Sequence, residues 1–208
     1  MSEAVPNPDA ERVLALLGGD TEAFTRLVDE HHDTMLRVAR AMLRDAAVAE
    51  EVVQETWLAV LDGLGTFEGR SSLRTWMFRI LSNRAFTRAK REGRSIPFSA
   101  FKGDDDEPVE AERFDATGHW VDPPDRWRET PERLVGDREV LDRIAIAIDR
   151  LPERQRTVIV LRDVNGWSSD EVRNALDLSE TNQRVLLHRA RAKVRAAVEV
   201  YLRSEAEA

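Results

Sequence analysis

The sequence predicts an all-α protein in which two small helical domains are joined by a flexible acidic linker. Apolar residues recur at helical spacing in two blocks, and no proline occurs between Pro8 and Pro97 or after Pro152. The segment between the blocks contains helix-breaking residues, namely Pro97, Pro108, Pro123, Pro124, Pro131, Gly93, Gly103 and Gly118. A chain of 208 residues with 42% apolar content is long enough for two small cores.

The composition narrows the class of protein. The chain has no cysteine, which excludes disulfides, thiolate metal sites and a cysteine nucleophile. Its first residues are polar and acidic, unlike a signal peptide, and no apolar run approaches the length of a membrane span. We therefore expect a cytoplasmic protein without membrane insertion.

The N-terminal block, residues 20–92, follows a predicted tail at residues 1–19. Asp20 is placed to cap a helix whose apolar residues recur every three or four positions, and a second such helix ends before Gly63. A third helix begins at Ser71 or Ser72. Its predicted buried stripe is Leu73, Trp76, Met77, Ile80 and Leu81, and its predicted outward stripe is Arg79, Asn83, Phe86 and Lys90.

The C-terminal block, residues 131–203, follows a linker at residues 93–130 and precedes a short tail at 204–208. Thr130 and Pro131 predict a helix start. Between residues 152 and 198 a helix ends near Gly166, a short helix begins with the capping-box spacing of Ser168 and Glu171, and Ser179 can cap a long final helix. This succession predicts a helix-turn-helix.

Charge is segregated along the chain. The formal net charge of -8 argues against nucleic-acid binding, yet residues 70–91 and 182–195 contain several arginines and no acidic residue. The alternative interpretation of each basic segment is a helix face that is exposed to solvent and binds no DNA. The final helix is also suited to the major groove, since arginine binds phosphates and pairs with guanine.

Both helical blocks of the sequence resemble a known protein family. The string AEEVVQETWLAVLDGLGTFEGRSSLRTWMFRILSNRA is similar to the second conserved region of bacterial extracytoplasmic-function (ECF) sigma factors. The strings LPERQRTVIVLRDVNGWSSDEV and LSETNQRVLLHRARAKVR are similar to the fourth region. The fold that this resemblance implies is a region 2 bundle and a region 4 helix-turn-helix in that order, with no third-region domain between them.

The resemblance also implies partners and site residues. Core RNA polymerase would be bound through its largest-subunit clamp helices and its second-largest-subunit flap, and promoter DNA at two elements. The implied clamp contacts are Glu50, Glu51, Gln54, Glu55 and Trp57. The implied minus-10 contacts are Phe67, Arg70, Ser71, Ser72, Arg74, Arg79, Asn83 and Arg84. The implied minus-35 contacts are Thr181, Arg184, Val185, His188, Arg189 and Arg191. Many members of the family have serine at the position of Val185.

Strand opening requires that unpaired bases be held outside the duplex. Aromatic side chains usually supply stacking surfaces for such bases, but Trp76 lies on the apolar stripe, and burial is the expected role of Phe67 and Phe86 as well. We therefore expect bases to be captured by polar groups of the loop 67–72.

The acidic linker has two open interpretations. By resemblance it threads toward the polymerase active centre, where its acids would imitate phosphates; alternatively it is a disordered tether. The acids are Asp104, Asp105, Asp106, Glu107, Glu110, Glu112 and Asp115. A patch around Trp120 and Trp127, with His119, Pro123 and Pro124, suggests docking onto an unidentified surface.

Enzymatic function is not expected. The four histidines form no metal-binding pattern, and no phosphate-binding loop, dinucleotide fingerprint or nucleophile elbow occurs, so we expect no catalytic residue, no metal and no cofactor. An anti-sigma factor is an expected partner by resemblance. Two other functions stay open: a sigma-like decoy that sequesters an anti-sigma factor without reading promoters, and a homodimeric repressor.

Overall fold

The computed structural model describes residues 9–91 and 138–206, and both ranges are helical and contain no strand. The predicted all-α fold is therefore confirmed. The N-terminal helices are α1 (Ala10–Leu17), α2 (Thr21–Met42), α3 (Ala46–Gly63), one 3-10 turn (Leu64–Thr66) and α4 (Leu73–Arg91). Helix α1 lies within the segment predicted as a tail.

The C-terminal domain forms the predicted helix-turn-helix. Its helices are α5 (Arg138–Asp149), α6 (Glu153–Ile159) continued by a π-helical turn (Val160–Val164), α7 (Ser169–Leu176) and α8 (Glu180–Ala206). The predicted helix start at Thr130 and Pro131, the acidic run and the patch around Trp120 and Trp127 lie outside the described residues.

Local sequence signals set the helix boundaries. The Asp20 carboxylate accepts the backbone N–H of Ala23 at 3.0 Å, as predicted for the start of α2. Ser168 and Glu171 form the predicted capping box at α7. The turn that follows α7 has Asp177 in the left-handed conformation, with φ of 54°.

Helix α4 is stabilised at its N-terminus by a residue distant in sequence. The Asp9 carboxylate accepts the backbone N–H of Leu73 at 2.6 Å and makes no side-chain capping bond to its own helix α1. A carboxylate at a helix N-terminus satisfies an orphan donor and complements the helix dipole. Asp9 thus fixes the point at which the loop 67–72 turns into α4.

The N-terminal core is centred on α4. Leu73, Met77 and Leu81 are buried as predicted, and Phe78, absent from the predicted stripe, is buried with them. Trp76 and Ile80 are only partly buried. The apolar stripe of α4 is therefore rotated from the predicted one, toward the C-terminal domain.

The two domains share one hydrophobic core. Helix α4 packs on α7, and α2 packs on α6 and its π-helical turn. The Phe78 and Trp167 rings meet at 4.7 Å between centroids with an interplanar angle of 69°. Such edge-on packing between buried aromatics is favourable, so the domains are joined by a packed interface.

His31, on α2, is buried beneath this interface, 6.4 Å from the Phe78 ring. Burial lowers the pKa of His31 below its usual value, since it disfavours the charged imidazolium. Arg12 and Arg74 reinforce the shift, whereas Glu30 and Asp9 oppose it.

We expect acid to destabilise the fold through His31. Below about pH 6.5 the unfolded chain takes up a proton that the folded chain resists, so the free energy of unfolding should fall as the pH decreases. His31→Gln removes this uptake and should flatten the decline. Urea titrations of both proteins at pH 7 and pH 5.5 measure the difference, and equal declines would assign the acid response to other groups.

Two negative findings apply to residues 9–91 and 138–206. No helix there has the length and apolarity needed to cross a membrane. No group of three or more histidine, aspartate or glutamate side chains is arranged there to hold a metal ion.

Candidate nucleic-acid interface

The loop 67–72 and the first turns of α4 enclose a small cavity, which we call the loop pocket. Its volume is about 260 Å³. It is lined by Thr66, Phe67, Glu68, Arg70, Ser71, Thr75, Trp76, Arg79 and Asn174. The walls thus combine two arginines, hydroxyl groups, two aromatic rings and the carboxylate of Glu68, which pairs with Arg70. The cationic and aromatic part of this lining suits a planar base attached to a phosphate.

The aromatic rings of the loop pocket form a pair. Phe67 and Trp76 lie 5.3 Å apart between centroids, tilted by 57°, and both are partly buried. The expectation that Trp76 belongs to the core is therefore wrong in part, because one side of the residue borders the cavity. Its position one helical turn before the exposed Arg79 is the sequence signal for this placement.

The predicted minus-10 residues separate into three groups. Phe67, Arg70, Ser71 and Arg79 line the loop pocket. Asn83 and Arg84 line a second cavity, of about 420 Å³, between α3 and α4.

The third group of predicted minus-10 residues, Ser72 and Arg74, makes contacts within the protein. The Ser72 hydroxyl accepts the backbone N–H of Thr75 at 3.2 Å and so caps α4. Arg74 points to the C-terminal domain, where it pairs with Glu171 and lies 4.6 Å above the Trp167 ring.

The exposed face of α3 carries most of the predicted polymerase contacts. Glu50, Glu51, Gln54 and Glu55 are exposed, and each of the three glutamates pairs with an arginine. Glu50 pairs with Arg40 at 3.1 Å, Glu55 with Arg84 at 3.2 Å, and Glu51 with Arg88. Exposed ion pairs of this kind contribute little stability, so their acids stay available to an external cation.

Trp57 does not belong to this face. It is 7% exposed, packs edge-on against Phe24, and donates its indole N–H to His32 Nδ1 at 3.3 Å. Its position in the α3 stripe that also buries Val53 and Val60 explains this burial. The prediction that Trp57 contacts polymerase is at odds with its place in the core.

Two leucines that the sequence analysis did not select lie on the exposed face of α3. Leu58 and Leu61 are exposed, next to Gln54 and Glu55. Leu58 falls outside the buried stripe of α3, which was the available signal, whereas Leu61 follows the apolar spacing predicted for this helix and is exposed all the same. We define the α3 face as Glu51, Gln54, Glu55, Leu58 and Leu61. Exposed apolar side chains rimmed by charge are typical of protein-protein contact sites.

The N-terminal half of α8 carries the predicted minus-35 residues. The Ser179 hydroxyl accepts the backbone N–H of Asn182 at 3.2 Å and caps the helix. Thr181 and Arg184 are exposed, while Val185, His188 and Arg189 are partly buried. A recognition helix presents its N-terminal residues to base edges, and Thr181 and Arg184 occupy that position.

Arg191 differs from its predicted role. Its guanidinium donates two hydrogen bonds, both of 2.8 Å, to the Asp163 carboxylate. The hydrogen bond to Asp163 raises the pKa of Arg191, against the effect of burial. The arginine therefore braces α8 against the π-helical turn. The helix itself is free of acids in this segment, but the fold supplies one from another helix.

Comparison with known proteins identifies both domains. Residues 27–95 match the family described as Sigma-70 region 2, and residues 141–194 match Sigma-70, region 4. Together these two matches span more than half of the chain.

Related proteins agree with the domain matches. The RNA polymerase sigma-H factor of Pseudomonas aeruginosa is 29% identical over 195 residues, covering 94% of this chain and 96% of the relative. The ECF RNA polymerase sigma factor SigG of Mycobacterium tuberculosis is 38% identical over 153 residues, covering 70% of this chain but only 40% of SigG.

A solved structure has the same fold. The sigma factor RpoE, in complex with the anti-sigma factor NepR from Bartonella quintana, superimposes with a TM-score of 0.56 at 18% identity, covering 86% of this chain and 99% of that one. The order of the two matched regions and their full-length relatives lead to one conclusion. The chain belongs to the sigma-70 superfamily, in the group of ECF sigma factors.

Proposed function

We propose that this chain joins core RNA polymerase and directs it to promoters, reading the minus-10 element with its N-terminal domain and the minus-35 element with α8. The observation that carries this proposal is the occurrence of the loop pocket and the exposed Arg184 face on the two matched regions. In this function catalysis belongs to the polymerase.

The α3 face is the proposed docking surface for the clamp helices of the largest polymerase subunit. Glu51 and Glu55 already pair with arginines of α4, so basic side chains of a partner can replace those exposed pairs at little cost. Leu58 and Leu61 supply apolar area that becomes buried on docking.

The loop pocket is the proposed site for an unpaired minus-10 base. Arg70 and Arg79 are exposed at its rim and can contact the phosphate backbone, Arg70 by exchanging its exposed ion pair with Glu68. The Ser71 hydroxyl can bond a base edge. Phe67 and Trp76 offer the apolar wall. Holding a flipped base repays part of the cost of unstacking it.

An anti-sigma factor is a proposed partner as well, as NepR is for RpoE in the Bartonella quintana complex. Such an inhibitor is a protein that competes with polymerase or DNA for this chain. It would account for regulation without a ligand site.

Run-off transcription from a genomic template library, with purified core polymerase, tests the proposed function. We expect promoter-specific transcripts only when the chain is added. Absence of any such transcript, together with tight binding of an anti-sigma factor, would favour the decoy function.

Leu58→Ala is expected to weaken core polymerase binding about tenfold, or ~1.4 kcal/mol, without destabilising the chain, because Leu58 is 65% exposed. The matched control is Leu14→Ala on α1, where the leucine is 69% exposed. Fluorescence anisotropy with labelled chain measures both affinities. Equal affinities for the two variants would remove the α3 face from the polymerase interface.

A further inference from the structure

We infer that Asp9 and α1 position the loop 67–72 for base capture: α1 packs on the turn that precedes the loop, and Asp9 binds the first residue that follows it. Asp9 is thus a positioning residue for the minus-10 interaction. It lies outside residues 27–95, which match Sigma-70 region 2. The inference rests on the proposed function, because the placement of the loop affects transcription only if the loop pocket holds a base.

The C-terminal end of the loop is held by Asp9. Its carboxylate accepts the backbone N–H of Leu73 at 2.6 Å. Leu73 is the first residue of α4 and is 1% exposed, so water has little access to replace a lost acceptor. A buried donor without an acceptor is costly, and a negative charge at a helix N-terminus is favoured by the helix dipole. The bond therefore fixes the start of α4, two positions after Ser71 of the loop pocket.

Ser72 caps the same end of α4 from within the loop. Its hydroxyl accepts the backbone N–H of Thr75 at 3.2 Å and lies 2.9 Å from the Thr75 hydroxyl. Thr75 is itself part of the pocket wall. Asp9 and Ser72 thus satisfy two different donors in the first turn of α4. Asp9 is the one that ties this turn to a distant part of the chain.

The N-terminal end of the loop is held by the 3-10 turn. The Phe67 backbone N–H donates to the Leu64 carbonyl at 3.1 Å, and Leu64 is buried. Helix α1 packs on this turn, and Leu16 of α1 belongs to the same hydrophobic core as Leu64. Both ends of the loop therefore depend on contacts with α1 or with Asp9, the residue that precedes it.

Helix α1 is in turn fixed to α2, so it can act as a support. Arg12 of α1 pairs with Glu30 of α2 at 3.1 Å. Between the two helices Gly19 has φ of 77°, and the Asp20 backbone N–H donates to the Ala15 carbonyl at 3.1 Å. The left-handed conformation of Gly19 makes this tight reversal possible. The position of Asp9 is thus set by the packed part of the domain.

The loop needs such support because of its own conformation. Residues 67–72 lie between the 3-10 turn and α4, and Gly69 within them has φ of 69°. A loop presents side chains such as Arg70 and Ser71 with a precision that is set by the contacts that hold it. Loss of the Asp9 bond should loosen the first turn of α4 and shift the loop. Base capture should then weaken, while the polymerase docking surface on α3 stays intact.

The lifetime of the open complex, measured with core polymerase after a competitor is added, tests this inference. Asp9→Ala removes the acceptor, and Asp9→Asn keeps an acceptor oxygen. The control is Asp20→Ala, which removes an N-cap within α2, where the Asp20 carboxylate accepts the backbone N–H of Ala23 at 3.0 Å. We expect Asp9→Ala to shorten the lifetime about 3- to 30-fold, the effect of losing an N-cap. Asp9→Asn should recover most of the lifetime, and Asp20→Ala should leave it unchanged.

The dependence on the template distinguishes positioning from a general structural role. A series of templates is prepared in which each minus-10 nucleotide of the captured strand in turn lacks its base. The effect of Asp9→Ala should disappear on the template that lacks the captured base and persist on the others. Equal shortening on every template, an equal loss of polymerase affinity, or a native lifetime for Asp9→Ala on the intact template would overturn the inference.

Hydrogen exchange of the free chain separates this inference from the proposed function. The Leu73 amide should exchange faster in Asp9→Ala than in the native chain, and no faster in Asp20→Ala. Unchanged exchange at Leu73 in Asp9→Ala would overturn the inference whatever the promoter assay shows. If Leu73 exchange responds but the native chain forms no open complex at any promoter, the proposed function is wrong, and with it the role of Asp9 in base capture.

Discussion

Trp76→Ala is expected to weaken promoter opening by roughly 5- to 150-fold, with the minus-10 strand held less tightly. The estimate is the ~1–3 kcal/mol that a base stacked on an aromatic side chain contributes. Trp76 borders the loop pocket beside Phe67, and Arg79 lies on the same wall. The lifetime of the open complex, measured after addition of a competitor, reports the loss.

The Trp76 ring also lies against the end of α3. It is so near Gly63 that a β-carbon added there would lie 3.3 Å from the ring. A structural defect must therefore be separated from a lost base contact. Trp76→Phe keeps an aromatic wall and should recover most of the lifetime, and a thermal unfolding curve checks the fold. If Trp76→Ala reduces polymerase affinity as much as it reduces open-complex lifetime, the pocket is not a base site.

Arg184→Ala is expected to weaken recognition of the minus-35 element by about 1–3 kcal/mol, the usual contribution of an arginine that reads a base pair bidentately. Arg184 is exposed in the first turns of α8, beside Thr181 and behind the Ser179 cap. The recognition energy is measured as the change in polymerase-dependent affinity between templates with and without the element.

Arg26→Ala on α2 is the matched control, since Arg26 is exposed and pairs only with Glu22 on its own helix at 3.5 Å among the contacts of the described residues. It should leave promoter affinity unchanged. Arg184→Ala should leave core polymerase affinity unchanged too. If that affinity falls and the preference for the element persists, α8 contacts polymerase rather than DNA.

Local signals made much of the fold predictable. The caps at Asp20 and Ser168 act over three residues, and the alternation of apolar and polar residues fixes which side of a helix is buried. The helix-turn-helix follows from these signals alone. The same reasoning failed to place α1, whose eight residues form only about two turns, too short a window for a helical period to stand out although six of the residues are apolar.

Tertiary contacts account for what the sequence could not show. Phe78 and Trp167 are far apart in sequence, and nothing in the local pattern around either residue predicts that their rings pack together. Residues 182–195 contain no acid, but Asp163 of another helix pairs with Arg191. The surface of this part of α8 therefore includes an acid that the local sequence does not show. Trp57 lies in a family motif, and its edge-on contact with Phe24 forms only where α2 and α3 meet.

The charge distribution explains how an acidic protein can read DNA. The net charge of -8 is an average over the whole chain. In the folded domains two acids of α3, Glu51 and Glu55, pair with arginines of α4, while Arg79 and Arg184 stay exposed. Weak binding of free DNA is compatible with this arrangement, because polymerase supplies the remaining contacts.

Permanganate reactivity of thymines at the minus-10 element is the most direct test of the proposal that the chain binds a promoter at both the minus-35 and the minus-10 element. With core polymerase and the native chain, we predict that these thymines become reactive, and that the reactivity is lost when either the minus-35 element or the chain is omitted. Promoter-specific binding that leaves the minus-10 thymines unreactive would contradict the assignment of strand capture to the loop pocket.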